Sequence, residues 1–297
     1  MPELPEVETI ARGLDKRIAG DIIESVWLGE KPQPLKSSAA ELAAVLERSR
    51  IVHVRRVGKH IVFDLELQRQ GGKRPPRLAS GKMTRTWGTA PPRGQWIVHL
   101  GMTGRLLIAS PEVETEKHTH AVLKLASGRE LRFVDPRRFG RLAVVRIESQ
   151  GDGAGFAAPG VEPLESKIEQ FVNLFRHRKT PIKSALLNQK LLSGVGNIYA
   201  DESLFRAGIR PRRQAASLTR AELGKLHVAL QEVLREAIKL GGSSVSDYVD
   251  AEGREGFFQL QHRVYGRENK PCLVCGRPIK RVIIAGRSSH YCAKCQK

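Results

Sequence analysis

All four cysteines of this 297-residue chain lie in its last 26 residues, as two pairs, Cys272-x-x-Cys275 and Cys292-x-x-Cys295, separated by sixteen residues. Two such pairs can close a tetrahedral shell of thiolates around one zinc ion, and a closed shell leaves no position for substrate or reactive water. The spacing therefore predicts a structural Zn²⁺ site with a β-hairpin between the pairs. The metal would stabilise about 35 residues that cannot bury a core alone.

The two halves of the chain have different periodicities. Apolar stretches separated by glycine-containing turns, typical of a β-sandwich or barrel, predict strands at 22–27, 51–54, 60–65, 96–100, 121–125, 131–134 and 141–145. Helices are predicted at 7–19 and 39–48, and then at 166–176, 182–192, 198–207 and 220–239. A β-rich half followed by a helical half indicates the α+β class.

These patterns divide the chain into regions. We expect an N-terminal β-sandwich domain at 1–150, a linker at 151–165, a helical domain at 166–260 and the zinc finger at 261–297. Residues 68–95 interrupt the first domain with five glycines, four prolines, seven Lys or Arg residues and no acid. This composition favours a solvated loop between two strands, or an additional electrostatic contact with a polyanion.

The net charge of the chain indicates the class of molecule that it binds. Lys and Arg number 50 against 31 Asp and Glu, which gives a net charge of +19. This excess favours a polyanion, most often nucleic acid. The sequence has no apolar run of about 18 residues that would predict a transmembrane helix, and its start lacks the features of a secretory signal. We expect a cytoplasmic, nucleoid-associated protein that does not bind membranes.

The N-terminus offers a candidate nucleophile. Pro2 follows Met1, and a small second residue permits removal of the initiator methionine. The amine released would be less basic than lysine by at most about 2.5 pKa units, and it could attack a sugar carbon to form an iminium ion. Glu3 and Glu6 are near enough in sequence to act as acid and base. Taken alone, these residues favour the alternative of a frayed terminus.

A glycine-rich turn at 194–197 precedes a predicted helix. Gly194 and Gly196 would let backbone N–H groups approach an anion at the helix N-terminus, with Asn197 as the N-cap. Asp201 and Glu202 are expected in the first turn of that helix. The alternative is a turn that only caps the helix.

Two other turns carry candidate DNA contacts. The segment DPRRFG at 135–140 presents two arginines and an aromatic, which would either form a tip inserted into DNA or include a salt bridge to Asp135. The segment HLGMTG at 99–104 would expose Met102 or form an ordinary hairpin turn with the methionine buried.

Taken together, these segments resemble the bacterial formamidopyrimidine-DNA glycosylases. The resemblance extends over nearly the whole chain, in the family's order. It rests on MPELPEVET at 1–9, HLGMTG at 99–104, DPRRFG at 135–140, GVGNIYADESLF at 194–205, VYG at 264–266 and the four-cysteine finger.

The resemblance implies a β-sandwich N-terminal domain, a helical domain with a helix–two-turn–helix motif, and a zinc finger, with double-stranded DNA between the domains. It implies a monomer that excises oxidised purines, such as 8-oxoguanine and formamidopyrimidines, and then cuts the abasic site by β- and δ-elimination. Pro2 would be the nucleophile and Glu3 would assist sugar ring opening. Glu6 would be a second acid, and Lys59 would bind phosphate at the site.

The resemblance also implies the DNA contacts. Met102, Arg137 and Phe139 would fill the gap left by the everted nucleotide, with Arg137 facing the opposite cytosine. Phosphate contacts are expected from Lys183, Asn197 and Arg287, and His118 is a further expected DNA contact. Glu202 matches a structurally important acid.

Two other functions share much of this pattern. One is the related endonuclease VIII type, which removes oxidised pyrimidines; the Met102, Arg137 and Phe139 set and the MPELPE start argue against it. The other is a non-catalytic zinc-ribbon protein that binds nucleic acid, for which the net charge and the finger would suffice. The segment at 68–95 is longer than the turn usual in the family, and residues 242–259, which would cover the flipped base, leave the lesion preference open.

Overall fold

The computed structural model describes residues 1–30, 34–67, 93–147, 155–244 and 249–297. Most of the predicted basic loop, residues 68–92, lies outside the described residues, as do 151–154 at the start of the predicted linker. The loop prediction was wrong at its end, because residues 93–95 pair within a β-strand. The α+β class is confirmed, with two four-stranded sheets and a helical second half.

The first half of the chain forms two antiparallel sheets whose apolar faces share one core. The first sheet has the order β1-β6-β7-β5, and the second has the order β2-β3-β4-β8. The strands are β1 (Ile23–Leu28), β2 (Arg50–Val57), β3 (His60–Glu66), β4 (Arg93–His99), β5 (Arg105–Ala109), β6 (Thr119–Leu125), β7 (Glu130–Val134) and β8 (Arg141–Ile147). The predicted strands all appear, and β5 is an additional one.

The first helix, α1 (Leu4–Ile18), packs into both halves of the molecule. Val7, Ile10 and Leu14 are spaced to lie on one helical face, and they are buried in the sandwich core beside α2 (Ala39–Leu46). Leu4 is buried in the core of the second half instead. The start of the chain is therefore fixed at the junction between the two cores.

The second half contains α3 (Ile168–Phe175), α4 (Ile182–Leu186), α5 (Asn197–Arg206) and α6 (Arg220–Lys239). The helix predicted at 182–192 ends at Leu186 because the following residues form turns around Gln189. The Gln189 amide accepts from Gly194 N at 3.0 Å and donates to Val195 O at 2.7 Å.

Two details predicted for α5 were wrong. Its N-cap is Gly196, and Asn197 is the first helical residue. Asp201 and Glu202 consequently lie beyond the first turn, and both are buried. Gly196 is extended, with φ −131° and ψ −161°, and its surroundings leave no room for a side chain.

The finger hairpin is formed by β9 (Lys280–Ile284) and β10 (Arg287–Tyr291). Ala285 and Gly286 make the two-residue turn with positive φ at both positions, as a type I′ turn requires. The finger packs on α5 through Phe205, Val264 and Ile279. Among the described residues, no helix combines the length and apolar character needed to cross a membrane.

Candidate active site

The chain start is buried between the two domains. Met1 is about half exposed at 49%, whereas Pro2 is buried. Leu4 N donates to Gly194 O at 3.0 Å, which ties the first turn of α1 to the glycine turn before α5. The frayed-terminus alternative therefore does not describe this protein. Met1 is joined to the nitrogen of Pro2 by a peptide bond, so a free proline amine requires removal of Met1.

The carboxyl of Glu3 is the group that lies at the glycine turn. Its Oε1 accepts from Ile198 N at 3.2 Å, at the N-terminus of α5. A methyl group added at Gly196 would lie 2.2 Å from the Cδ of Glu3, so only glycine admits this carboxyl. The close approach that the sequence predicted is correct, and its occupant in this structure is a side chain of the protein itself.

Burial controls the protonation of Glu3. The side chain is only 4% exposed, and desolvation raises its pKa to about 7, although the nearby Lys59 charge lowers it. Within the described part of the chain, its Oε2 has no hydrogen-bond partner. Glu3 can therefore hold or release a proton near neutral pH beside the chain start.

Glu6 accepts several hydrogen bonds in the same region. Tyr199 Oη donates to it at 2.5 Å, Ser243 N at 2.8 Å and Glu3 N at 2.8 Å. Burial raises the pKa of Glu6, while these hydrogen bonds act in the opposite direction. The carboxylate links α1, α5 and the segment after α6. Tyr199 was missed from the sequence, although a tyrosine in a buried helix face requires an acceptor.

Lys59 reaches the site from the turn between β2 and β3. This turn is a two-residue connection, and Gly58 adopts a positive φ of 61°. Burial and the Arg287 charge lower the pKa of Lys59, and the nearby carboxylates of Glu3 and Glu6 raise it. The site thus combines two acids of α1, Glu3 and Glu6, with two cations. Lys59 comes from the β2–β3 turn, and Arg287 comes from the finger.

The predicted wedge residues lie at two adjoining turns. Met102 is 40% exposed and Phe139 52% exposed, and the Arg137 guanidinium carbon lies 4.9 Å from the centre of the Phe139 ring. The Asp135 carboxylate joins the turns, because it accepts from Thr103 Oγ1 at 2.6 Å and Gly140 N at 2.7 Å. The alternatives of a buried Met102 and an arginine salt bridge at Asp135 therefore do not apply.

His118 lies behind these turns. Its carbonyl accepts from Asp135 N at 3.0 Å, and its backbone has a positive φ of 71°. The backbone of His118 thus supports the turn that carries Arg137. A contact between its half-buried imidazole and DNA stays a prediction.

Asn197 and Arg287 border the other side of the site. Asn197 Nδ2 donates to Ser288 Oγ at 3.4 Å, and its Oδ1 is buried without a partner in the described residues. Arg287 is exposed at the start of β10, directly after the hairpin turn. Their predicted phosphate contacts are compatible with these positions and stay predictions.

Lys183 is buried where α4 and α5 meet the finger. Its side chain is fully buried, and Nζ donates to Asp201 Oδ1 at 2.5 Å and Ser288 O at 3.0 Å. With the side chain buried in this way, a phosphate contact of Lys183 stays a prediction. The ammonium joins α4 and α5 to the finger strand, next to Arg287. Asp201, which sequence reasoning placed at a helix start, also accepts from His290 N at 2.9 Å.

Glu202 fixes the segment that enters the finger. Its carboxylate accepts from the backbone N–H groups of Arg263, Val264 and Tyr265 at 2.8 to 3.1 Å. This segment includes the VYG motif singled out in the sequence. The role is structural, as the resemblance implied.

The four cysteines meet as predicted. Their sulfur atoms all lie within 4.8 Å of one another, with Sγ–Sγ distances of 3.9 Å for Cys272–Cys295 and 3.5 Å for Cys275–Cys292. A tetrahedron with Zn–S bonds of about 2.3 Å has edges of about 3.8 Å. The donor set and its spacing therefore fit one structural zinc ion.

Comparison with known proteins gives a consistent assignment. Family models for the formamidopyrimidine-DNA glycosylase N-terminal domain, the formamidopyrimidine-DNA glycosylase H2TH domain and the zinc finger found in FPG and IleRS match residues 1–142, 159–249 and 269–297. The formamidopyrimidine-DNA glycosylase of Solibacter usitatus is 44% identical over 298 residues, covering 100% of both chains.

Solved structures agree with this assignment. The MutM (Fpg) protein of Thermus thermophilus is 41% identical, with a TM-score of 0.78, over 99% of this chain and 98% of that one. A Lactococcus lactis FPG mutant in complex with Fapy-dG-containing DNA is 30% identical, with a TM-score of 0.82, over 100% of both chains.

Proposed function

The chain belongs to the formamidopyrimidine-DNA glycosylase family, and from that premise we propose that it excises oxidised purines from double-stranded DNA and cleaves the abasic site. It is a base-excision repair enzyme with glycosylase and lyase activities. The substrates we assign are 8-oxoguanine and formamidopyrimidines.

One observation carries the chemical part of the proposal. The chain start is buried beside Glu3, a carboxyl whose pKa is raised to about 7, and Lys59 lies within electrostatic reach of that carboxyl. A nucleophile, a proton-transfer group and a cation are the three components that an amine-catalysed base excision requires.

The reaction begins after Met1 is removed. The lone pair of the Pro2 nitrogen attacks C1′ of the damaged nucleotide, and the N-glycosidic electron pair leaves with the base, which takes up the proton that the Pro2 nitrogen loses. Glu3 in its acid form gives a proton to O4′ as the C1′–O4′ bond breaks, which leaves an iminium ion between Pro2 and C1′. Glu6 holds the backbone of Glu3 while this proton moves.

Strand cleavage follows from the iminium ion. It acidifies the C2′ protons, so loss of one proton expels the 3′ phosphate by β-elimination. A second, δ-elimination expels the 5′ phosphate, and hydrolysis of the iminium then frees Pro2. These steps leave the oxidation state of the protein unchanged.

The exposed turns support access to the base. A base within a duplex must be flipped out, at a cost of a few kcal/mol. Met102 and Phe139 are exposed apolar groups suited to fill the vacated space, and Arg137 carries donors suited to the base that remains. Arg287, Asn197 and Lys59 surround the position expected for the flipped nucleotide's phosphates.

The proposal also covers the zinc ion, the location in the cell and the oligomeric state. Zinc held by the four cysteines stabilises the hairpin that carries Arg287. We assign the enzyme to the cytoplasm, bound to the nucleoid, and to a monomeric state, because one chain supplies every group of the site described above.

The test is borohydride trapping on a duplex with 8-oxoguanine opposite cytosine, after mass spectrometry has verified removal of Met1. We expect a covalent protein–DNA complex and release of the oxidised base. Pro2→Gly should bind the duplex with nearly unchanged affinity but release no base. Trapping that fails with intact Pro2 on every oxidised base in a panel contradicts the proposal.

The same panel separates the related functions. Preferential release of oxidised pyrimidines would assign the endonuclease VIII type of activity instead. Duplex binding without base release, in the wild type as in the variant, would leave only a zinc-ribbon nucleic-acid-binding protein.

A further inference from the structure

Arg56, at the end of β2, lies in a buried ionic junction outside the reaction steps described above. Its side chain is 7% exposed. Nε donates to Glu8 Oε2 at 2.7 Å, and Nη1 donates to Glu162 Oε2 at 2.8 Å and to Gly58 O at 3.3 Å. One guanidinium thus contacts two carboxylates and the backbone of the turn that carries Lys59.

The two carboxylates belong to different parts of the molecule. Glu8 lies on α1, one turn after Leu4. Glu162 adjoins Val161, whose N–H donates to Leu191 O and whose carbonyl accepts from Ser193 N, both at 2.9 Å. Glu162 is therefore fixed beside the residues that lead into the glycine turn of the second domain, and Arg56 connects this segment with α1.

The Lys59 turn is closely packed at the same junction. A methyl group at Gly58 would lie 3.3 Å from Ala158 Cβ and 3.4 Å from Ser193 Cβ. On the side facing the domain junction, little space separates this turn from the second domain. The contact of Arg56 with Gly58 O fixes the residue directly before Lys59.

We propose that Arg56 is a positioning residue that sets the distance between the Lys59 ammonium and Glu3, by fixing the Lys59 turn to α1 through Glu8 and to the second domain through Glu162. This inference rests on the proposed function, because it assigns Arg56 a part in that reaction. Glu162 is the second member of the same device.

The geometry explains why an arginine stands here. Its planar fork presents several donors in fixed directions, whereas a lysine offers one point charge. Without the guanidinium, two partly buried carboxylates would face each other across the domain junction. The Lys59 turn would then lose the hydrogen bond from Arg56 to Gly58 O, and with it the ionic link to Glu8 and Glu162.

The experiment compares Arg56→Gln and Glu162→Gln with the wild type in single-turnover borohydride trapping on an abasic-site duplex, between about pH 5.5 and 8.5. We expect Arg56→Gln to slow trapping at saturating enzyme by about 10- to 100-fold, because small misplacements of reacting groups have effects of this size. Duplex affinity should change by less than about threefold. The Arg56→Gln/Glu162→Gln double variant should be no slower than Arg56→Gln, because Glu162 acts through Arg56.

The pH profile separates positioning from simple loss of structure. If Lys59 moves away from Glu3, the limb of the profile that reports this carboxyl shifts to higher pH, because the Lys59 charge lowers that pKa. Arg55→Gln is the matched control, because Arg55 pairs with Asp64 at 2.7 Å and has no contact with Gly58. We expect the control to trap within twofold of the wild type with an unshifted limb.

Three results would overturn the inference. They are an Arg56→Gln rate within twofold of the wild type, an unshifted pH limb, or an equal loss in Arg55→Gln. If Arg56→Gln does not fold, Glu162→Gln replaces it, because the Glu162 side chain is 24% exposed. A trapping rate slower than the wild type then supports the positioning role, and a trapping rate within twofold of the wild type refutes it. Failure of the wild type to trap would refute the proposed function instead.

Discussion

Gly196→Ala tests whether the site depends on the position of the Glu3 carboxyl. The added methyl group would lie 2.2 Å from Glu3 Cδ, and ordinary contact begins at 3.4 Å, so the carboxyl must move by about 1.2 Å. Gly196 has φ −131° and ψ −161°, an extended conformation that alanine adopts freely. The substitution therefore acts on Glu3 by steric displacement and not through backbone strain.

The expected effect on catalysis is large. A displacement of about 1 Å can reduce a rate by about 100-fold, which corresponds to about 2.7 kcal/mol of activation free energy. The free energy of unfolding should fall by about 1–3 kcal/mol, as for other overpacked sites. Single-turnover release of 8-oxoguanine measures the rate, and fluorescence anisotropy measures duplex affinity, which should change little.

A double-mutant cycle identifies the cause. In a Glu3→Ala background, the atoms that meet the new methyl group are absent, so Gly196→Ala should add less than about a threefold loss. Gly224→Ala, in α6, is the control, because its nearest neighbour is Ile168 Cδ1 at 3.8 Å. The reasoning is refuted if Gly196→Ala retains wild-type speed, or if it slows the Glu3→Ala enzyme as strongly as the wild type.

Three further predictions concern the acid, the wedge and the metal. Glu3→Gln should lower the excision rate by about 10²- to 10⁴-fold. It should also abolish the decline in rate that we expect above pH 7, where the carboxyl with a pKa of about 7 loses its proton. A pH–rate series measures both effects, and a decline that persists in the variant would contradict the role of Glu3 as the acid. Met102→Ala should slow base release from duplex DNA by about 10-fold with unchanged thermal stability, because the side chain is 40% exposed; equal rates on duplex would exclude a wedge role. Chelation of zinc should disorder the hairpin that bears Arg287 and weaken duplex binding, which anisotropy measures. It should leave the amine chemistry unaltered, which trapping at saturating enzyme measures. Unchanged duplex affinity after metal loss would count against the structural role of the zinc.

The sheet and helix pattern could be predicted where periodicity was strong. Alternation located seven strands, and the apolar spacing at Val7, Ile10 and Leu14 located α1. Strand β5 was missed, although Leu106, Leu107 and Ile108 form an apolar run like that of Ile61, Val62 and Phe63 in β3. Its pairing with β7 is a tertiary contact that no local pattern encodes.

The candidate site was predictable as a set of residues but not as a set of contacts. The cysteine spacing alone fixed the metal centre. The burial of Lys183 could not be foreseen, because its partner Asp201 is brought beside it by the packing of α4 against α5. The phosphate contact predicted for Lys183 rested on the family resemblance, which does not specify this ion pair.

The hydrogen bond between Glu3 and Ile198 N joins residues 195 positions apart. The ribosome therefore synthesises the start of the chain, with Glu3, long before α5, whose backbone binds the Glu3 carboxyl. Until Ile198 has been added, the Glu3 carboxyl lacks the backbone donor that it contacts in the folded protein. In the proposed reaction, base excision therefore requires that synthesis has passed the start of α5.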